Sequence, residues 1–164
     1  MSRKVLPPFI IALASIWLGW TVLVDFFIVP VVFQKIGDFF MAGFLGIEVF
    51  SKLNNLEVLV ASALVALTAL SVKRGKSAIV AFVLSLILWF VAMFYFSYLT
   101  PKIISLTEQW KRADLMGLTG LSGIPDLQQE HQYYHRMYIA IDSVKLGLLS
   151  ILIGFGIWRG DEWK

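Results

Sequence analysis

The stretch from His131 to Trp158, HQYYHRMYIAIDSVKLGLLSILIGFGIW, decides the fold of this chain. Its second half is apolar and continuous enough to enter a lipid bilayer as a helix. Its first half carries five polar residues at helical spacings of four, three, four and three, which places them in one stripe: His131, His135, Tyr138, Asp142 and Lys145. Lipid cannot solvate such a stripe, so it must face protein or a water-filled cavity. The sequence therefore predicts a membrane bundle packed around this helix.

The composition also indicates a membrane protein. The chain has 164 residues, of which 59% are hydrophobic and 15% charged, with a mean hydropathy of +0.79. Globular domains are nearer half apolar and a quarter charged. The chain has no cysteine, which excludes disulfides, zinc–thiolate sites and cysteine nucleophiles. No hydrolase elbow, P-loop, dinucleotide-binding loop or zincin motif occurs, so we do not expect an enzyme.

Four apolar segments predict membrane-spanning helices within a single transmembrane domain, 1–164: about 9–33, 56–72, 77–99 and 137–158. The first of them is too long for the apolar core of a cleaved signal peptide. Pro30 is expected to kink or end the first helix, and Thr100-Pro101 to break the third. The stretch after this break predicts a short amphipathic helix. The predicted fold is all-α, an integral membrane four-helix bundle with a short amphipathic extramembrane segment.

Two connecting stretches allow further predictions. Residues 39–53 are too poor in charge for an ordinary loop and too broken for a clear span. They form either an interfacial helix or an early extension of the second helix. We interpret Asn54-Asn55 as a break or cap before that helix. The glycine-rich residues 117–124 predict a flexible connection, and Pro125 is expected to open the fourth helix.

Basic residues predict the orientation of the bundle. Lys73, Arg74 and Lys76 crowd one short loop, and such clusters stay on the cytoplasmic side. Both termini are then cytoplasmic, in a multi-pass protein of the cell membrane, the inner membrane in a bacterium. This placement accounts for the net charge of +3 without a nucleic-acid partner. The lipid bilayer is the expected partner, and a homo-oligomer or a membrane partner protein is left open.

Intramembrane charges are the main candidates for a site. Asp25 and Lys145 are predicted at the same depth, about 12 Å at 1.5 Å per residue, and to form an ion pair. Asp142 could share the lysine from three residues away. The simpler interpretation is a structural pair that locks the first and fourth helices together. The alternative is a ligand or proton site of Asp25, Asp142, Lys145, His135 and Tyr138, because two carboxylates and one lysine lack one positive charge.

The two histidines allow a second candidate site. His131 and His135 lie one turn apart, the spacing at which two imidazoles can share a metal. The chain has no other histidine, so Glu130, Glu48 or Glu108 would have to complete the ligand set. A haem would need a non-histidine ligand or a partner subunit. We expect interfacial histidines and no cofactor. The alternative is a haem- or transition-metal-dependent membrane redox protein that uses His131 or His135.

Short motifs of the first three helices occur in a recognisable order: Trp17-Leu18-Gly19, Asp25-Phe26-Phe27, Pro30, Phe33, Ala42-Gly43, Phe50-Ser51-Lys52-Leu53 and Leu99-Thr100-Pro101-Lys102. With the histidine that opens the fourth helix, they make the chain resemble the transmembrane protein 205-like family. The resemblance implies a four-helix multipass membrane protein, of a kind mostly uncharacterised in bacteria. That family has His-x-x-Ser and an asparagine seven residues after the histidine. Here Tyr138 and Asp142 replace the serine and the asparagine that would follow His135.

Residues and resemblance together predict a non-enzymatic membrane protein. It would bind or move a small ligand or ion, or stabilise partners in the membrane. Neither the substrate nor the physiological process follows from the sequence.

Overall fold

The computed structural model describes residues 6–116 and 124–159, which form helices and short connections with no β-strand. The helices are α1 (Leu6–Leu23), α2 (Val29–Lys35), α3 (Phe39–Ala69), α4 (Lys76–Phe94), α5 (Thr100–Leu115) and α6 (Ile124–Arg159). A π turn at Val24–Ile28 joins α1 to α2, and a second at Tyr95–Leu99 joins α4 to α5. With α3 and α6, these two continuous rods make four helices long and apolar enough to cross a membrane. The predicted all-α four-helix membrane bundle is confirmed.

Pro101 does not break the third spanning helix, so that prediction is wrong. It lies in the first turn of α5, directly after the π turn Tyr95–Leu99, and the rod continues to Leu115. Thr100 N–H bonds the Tyr95 carbonyl five residues back. This wider turn accommodates a residue that has no N–H to donate and whose ring would clash with an α-turn. The predicted amphipathic segment is therefore an extension of the third spanning helix rather than a separate helix.

Pro30 is accommodated in the same way. It lies in the first turn of α2, just after the π turn Val24–Ile28. The helix continues past it to Lys35 and ends where Ile36 adopts an extended conformation. The proline therefore marks a change of helical geometry and not the end of the helix.

Residues 39–53 belong to α3, which runs without interruption from Phe39 to Ala69. The predicted break at Asn54-Asn55 is wrong. Asn54 is buried and its side chain bonds to neighbouring helices, so it does not compete for the backbone of its own helix. Of the predicted flexible connection, 117–123 lie outside the described residues. Pro125 lies in the first turn of α6, as predicted.

The four spanning helices form a closed ring. α1 packs on α3 and α6, and α4 packs on the same two helices. Alanines at the contacts allow close approach, as is usual between helices in lipid. The apolar core is formed by Ile10, Ala14, Trp17, Ala61, Leu64, Ala78, Ala81, Leu88, Ala92, Leu149 and Leu152. Large apolar side chains such as Leu59 and Leu70 cover the outside, 67% and 71% exposed, which suits contact with lipid.

The helices are longer than a bilayer is thick. α6 has 36 residues and is therefore about 54 Å long, against a hydrocarbon thickness of about 30 Å. We call the end with Lys73, Arg74, Lys76 and Arg159 the basic end. The opposite end, where α2, α5 and the first turns of α6 pack together with the start of α3, we call the cavity end. The bundle projects beyond the hydrocarbon at one or both of these ends.

Candidate functional site

Four charged side chains meet inside the ring of helices. Asp25 comes from the first π turn, Glu57 from α3, and Asp142 and Lys145 from α6. Lys145 Nζ lies 2.7 Å from Glu57 Oε1 and also contacts Asp142 Oδ1. The side chains of Glu57 and Lys145 are completely buried. We call these four residues the charge cluster.

Neutral groups complete the surroundings of Lys145 and Glu57. Thr21 Oγ1 donates a hydrogen bond of 3.2 Å to Glu57 Oε1. The ammonium of Lys145 lies 5.2 Å from the ring centroid of Tyr95, a distance typical of a cation–π contact. Glu57 Oε2 is buried and finds no hydrogen-bond partner within residues 6–116 and 124–159. The glutamate thus uses one of its two oxygens for both of its contacts.

Asp25 contacts the carboxyl group of Asp142, which lies at hydrogen-bond distance, instead of pairing directly with Lys145. The predicted direct Asp25–Lys145 ion pair is therefore wrong, because Glu57 reaches the lysine from α3. The cluster holds three carboxyl groups and one ammonium, which contacts two of them. Two carboxylates in contact repel each other unless a proton or a cation lies between them. With all of these groups ionised, the net charge of the cluster is negative, so the cluster can take up at least one further positive charge.

A second group of polar side chains lies one helical turn from the cluster, toward the cavity end. Asn54 Nδ2 donates to Thr100 Oγ1 at 2.6 Å, and the Tyr138 hydroxyl donates to Asn54 Oδ1 at 3.3 Å. The Tyr95 hydroxyl donates to the backbone carbonyl of Tyr138 at 3.1 Å, and the two rings lie 4.6 Å apart. We call Asn54, Tyr95, Thr100 and Tyr138 the tyrosine–asparagine layer. It ties α3, the second π turn, α5 and α6 together on the cavity-end side of the charge cluster.

Both π turns contribute to this site. Asp25 lies in the first and Tyr95 in the second. Single π turns within α-helices are frequent at functional sites, where they redirect a side chain. Here they lie in two different spanning helices, at the level of the buried charges.

A cavity of about 470 Å³ opens beyond the tyrosine–asparagine layer. Thr100 and Tyr138 of the layer form part of its wall, and so do Trp110, His131 and His135. The two imidazoles are parallel, with centroids 6.3 Å apart, and the Trp110 ring lies 5.7 Å from that of His131. The cavity and the charge cluster are therefore separated by a single layer of hydrogen-bonded side chains.

The predicted site residues lie in two different places. Asp25, Asp142 and Lys145 lie in the charge cluster, with Tyr138 one turn above them. His135 lies in the cavity wall, seven residues from Asp142 and hence about 10 Å along the helix axis. It does not supply the missing positive charge of the cluster. Within the described parts of the chain, no three histidine, aspartate or glutamate side chains come together as a metal-binding group.

Glu57 is the residue that the sequence prediction missed. Its helix was expected to begin at Leu56, which placed the glutamate at the membrane surface. One signal was present: Asn54 and Glu57 lie three residues apart, and Thr21 and Asp25 four apart, so each pair shares a helix face. The same spacing produced the polar stripe of α6.

Comparison with known families gives a match over α1 to α5. Residues 12–112 match the family described as "Domain of unknown function (DUF4149)". The chain belongs to the DUF4149 family. The match contains Asp25, Glu57 and Tyr95, whereas α6 with Asp142 and Lys145 lies beyond it. No curated protein and no solved structure matches this DUF4149 protein.

Proposed function

We propose that this DUF4149 protein is a non-enzymatic multipass membrane protein that binds a small cation, in the simplest case a proton, in its charge cluster. One observation carries the proposal: three carboxyl groups and a single ammonium lie together inside the bundle. A charge within the membrane is expensive unless it is paired, so the excess carboxyl groups favour uptake of a positive charge. A proton needs no further ligands and fits between the contacting carboxyls of Asp25 and Asp142.

The depth of the charge cluster in the membrane supports exchange of that cation with one side of the membrane. Lys145 lies thirteen residues before Trp158, about 20 Å from an aromatic side chain of the kind that marks an interface. With about 30 Å of hydrocarbon, the cluster is nearer the cavity end. Tyr138 and Thr100 lie between cluster and cavity and carry hydroxyl groups. Hydroxyl groups can both donate and accept, as a proton path requires.

The resemblance to the transmembrane protein 205-like family is consistent with this proposal but names no ligand. We further propose the orientation that the basic loop predicts, with the basic end in the cytoplasm of a cell membrane. The cavity and the site near it then face the opposite compartment. A homo-oligomer or a partner protein in the membrane would cover part of the exposed apolar surface.

Infrared spectroscopy tests the proposal on the purified protein in phosphatidylcholine nanodiscs. We expect a protonated carboxyl band at neutral pH, where exposed carboxyl groups are ionised. Asp142→Asn should remove the part of that band due to the contacting pair, whereas Glu48→Gln, on the exposed surface, should leave it unchanged. If the wild-type protein shows no such band and binds no radioactive sodium, the cluster is a structural ion network and the proposal fails.

Proteoliposomes distinguish movement from binding. With a pH-sensitive dye inside and a potassium diffusion potential across the membrane, a conducting protein acidifies the interior faster than empty vesicles do. Tyr138→Phe, which removes the hydroxyl between cavity and cluster, should then slow the acidification. If the infrared band is present but the vesicles behave as empty ones, the protein binds the cation without moving it.

A further inference from the structure

The walls of the cavity at the cavity end differ sharply in character. One side is apolar and comes from the first, second and third spanning helices: Val29, Phe33, Gly43, Gly46, Ile47, Phe50, Ile103 and Ile104. The other side comes mainly from α6 and presents side-chain hydrogen-bond donors: Gln128, His131, Gln132, His135 and Arg136. Such a division between an apolar and a polar wall matches an amphipathic molecule.

The polar wall of the cavity also carries a positive charge. Arg136 supplies this charge, the two histidines add hydrogen-bond donors, and no carboxylate lines the cavity among the residues that the structure describes. Glu130, the acidic residue nearest to these histidines along α6, forms an ion pair of 2.8 Å with Lys102. Arg136 forms no ion pair with any described residue. The charge of this wall therefore suits an anion.

From these two observations we propose that the cavity binds an amphipathic anion, an acyl chain with a carboxylate or phosphate head group. The head would lie against Arg136 and the neighbouring histidines, and the chain against Phe33, Ile47 and Ile104. Arginine is suited to carboxylates and phosphates because its planar guanidinium donates two parallel hydrogen bonds. This binding does not depend on a cation in the charge cluster.

Size and depth support this ligand. A volume of about 470 Å³ lies within the range of roughly 300–1,000 Å³ found for small-molecule sites. Tyr138, at the floor of the cavity, lies seven residues before Lys145 and thus about 10 Å closer to the cavity end. This places the cavity near the level of lipid head groups.

Two glycines keep the apolar wall open. A Cβ atom on Gly43 would meet nothing within 4 Å, and one on Gly46 would meet only Phe33 Cε2, at 3.7 Å. A larger side chain at Gly43 would therefore enter free space beside the cavity without displacing the backbone. Gly147 has equally open surroundings but lies away from the cavity on α6. Gly43→Leu and Gly147→Leu consequently form a matched pair of variants.

The experiment uses palmitate that carries a photoreactive group near the end of its chain, with the corresponding alcohol as a neutral probe. The protein is held in phosphatidylcholine nanodiscs, and labelled peptides are identified by mass spectrometry. We expect palmitate to label the apolar wall at Phe33, Ile47 or Ile104. Gly43→Leu should reduce this labelling about tenfold, whereas Gly147→Leu should not change it. Circular dichroism of both variants checks that they fold.

Arg136→Gln tests the polar wall with little risk to the fold, because Arg136 is exposed. Loss of a charge-assisted hydrogen bond should weaken labelling by the acid about tenfold and leave labelling by the alcohol unchanged. Competition with unlabelled palmitate and with phosphatidic acid tells which head group binds more tightly. Equal labelling by acid and alcohol in the wild-type protein, or full labelling of Gly43→Leu, would overturn the proposal.

Discussion

Lys145 and Glu57 lie 88 positions apart in the chain, yet Nζ of the lysine is 2.7 Å from Oε1 of the glutamate, and both side chains are fully buried. The contact joins the fourth spanning helix to the second. Removing two charges from water is expensive, and a buried pair repays that expense only when its geometry is good. Asp142 already holds Lys145 from the same helix. The further contact with Glu57 therefore specifies which helix packs against α6.

Mutation of Lys145 and Glu57 should show that their contributions to the free energy of unfolding are coupled. Lys145→Met leaves three carboxyl groups without a cation, so we expect the free energy of unfolding to fall by about 3–5 kcal/mol. Glu57→Gln should cost less, because Asp142 still pairs with the lysine. The double variant should lose less than the sum of the two. Denaturation of the detergent-solubilised protein measures all three values, and strictly additive losses would contradict direct coupling.

The exposed pair of Glu48 and Lys52 provides the control for this cycle. Its two side chains are 3.3 Å apart but largely exposed, at four residues' separation on α3. Exposed pairs of this kind contribute little, so removing either partner should change the free energy of unfolding by no more than about 0.5 kcal/mol.

Neighbouring asparagines allow a test of the tyrosine–asparagine layer. Asn54→Ala removes two hydrogen bonds and leaves the hydroxyls of Thr100 and Tyr138 without that partner. The cost should be about 1–3 kcal/mol of unfolding free energy. Asn55→Ala, at an exposed position one residue further on, should be close to neutral. Equal melting temperatures for the two variants would show that the layer does not stabilise the bundle.

Among residues 6–116 and 124–159, Gly75 is the one whose backbone requires glycine. Its φ of 146° and ψ of −179° place it in a region that other residues rarely adopt. Gly75→Ala should therefore destabilise the protein by about 1–3 kcal/mol. Gly154→Ala adds a methyl group that meets nothing within 4 Å beyond the neighbouring backbone of its own helix, and should be neutral or stabilising. Thermal melts of the two variants measure both effects. A lower melting temperature for Gly154→Ala than for Gly75→Ala would contradict this prediction.

Reporter fusions test the proposed orientation. A cytoplasmic reporter attached after Lys164 should be active, and one inserted near Gly120 should be inactive, because Lys73, Arg74 and Lys76 hold the basic end in the cytoplasm. A reporter active only outside the cytoplasm should show the reverse. If the cytoplasmic reporter is active near Gly120, the bundle has the opposite orientation and the cavity lies on the cytoplasmic side.

Hydropathy predicted the fold because the apolar runs are long and helices are one of only two structures that satisfy the backbone in lipid. It could not decide between the two predictions for 39–53, an interfacial helix or an extension of the second spanning helix, of which the structure has the second. That segment is stabilised by contacts with other helices, in which Asn54 takes part, and no local signal reports them. The prediction of a break at Pro101 is wrong for a related reason, because the rule that proline ends a helix assumes α geometry throughout.

The site was predicted in part. Spacing alone placed Asp142 and Lys145 on one face, since both lie on the same helix. Which carboxylate the lysine meets depends on the rotation of the other helices about their axes, and depth arithmetic says nothing about rotation. A helix start at Leu56 places Glu57 at the membrane surface, so that arithmetic selects Asp25, whereas the structure has Glu57 as the partner.

The two π turns have a consequence for how the chain tolerates changes of length. Each holds one residue more than an α-turn, and one residue turns a helix by about 100°. In the first rod the inward positions therefore advance by five, from Val24 in the core to Val29 in the cavity wall. Deleting one residue there would leave an equally apolar helix but would rotate α2 by about 100° relative to α1. The cavity and the charge cluster are thus kept in phase by the number of residues between them, independently of which side chains those residues carry.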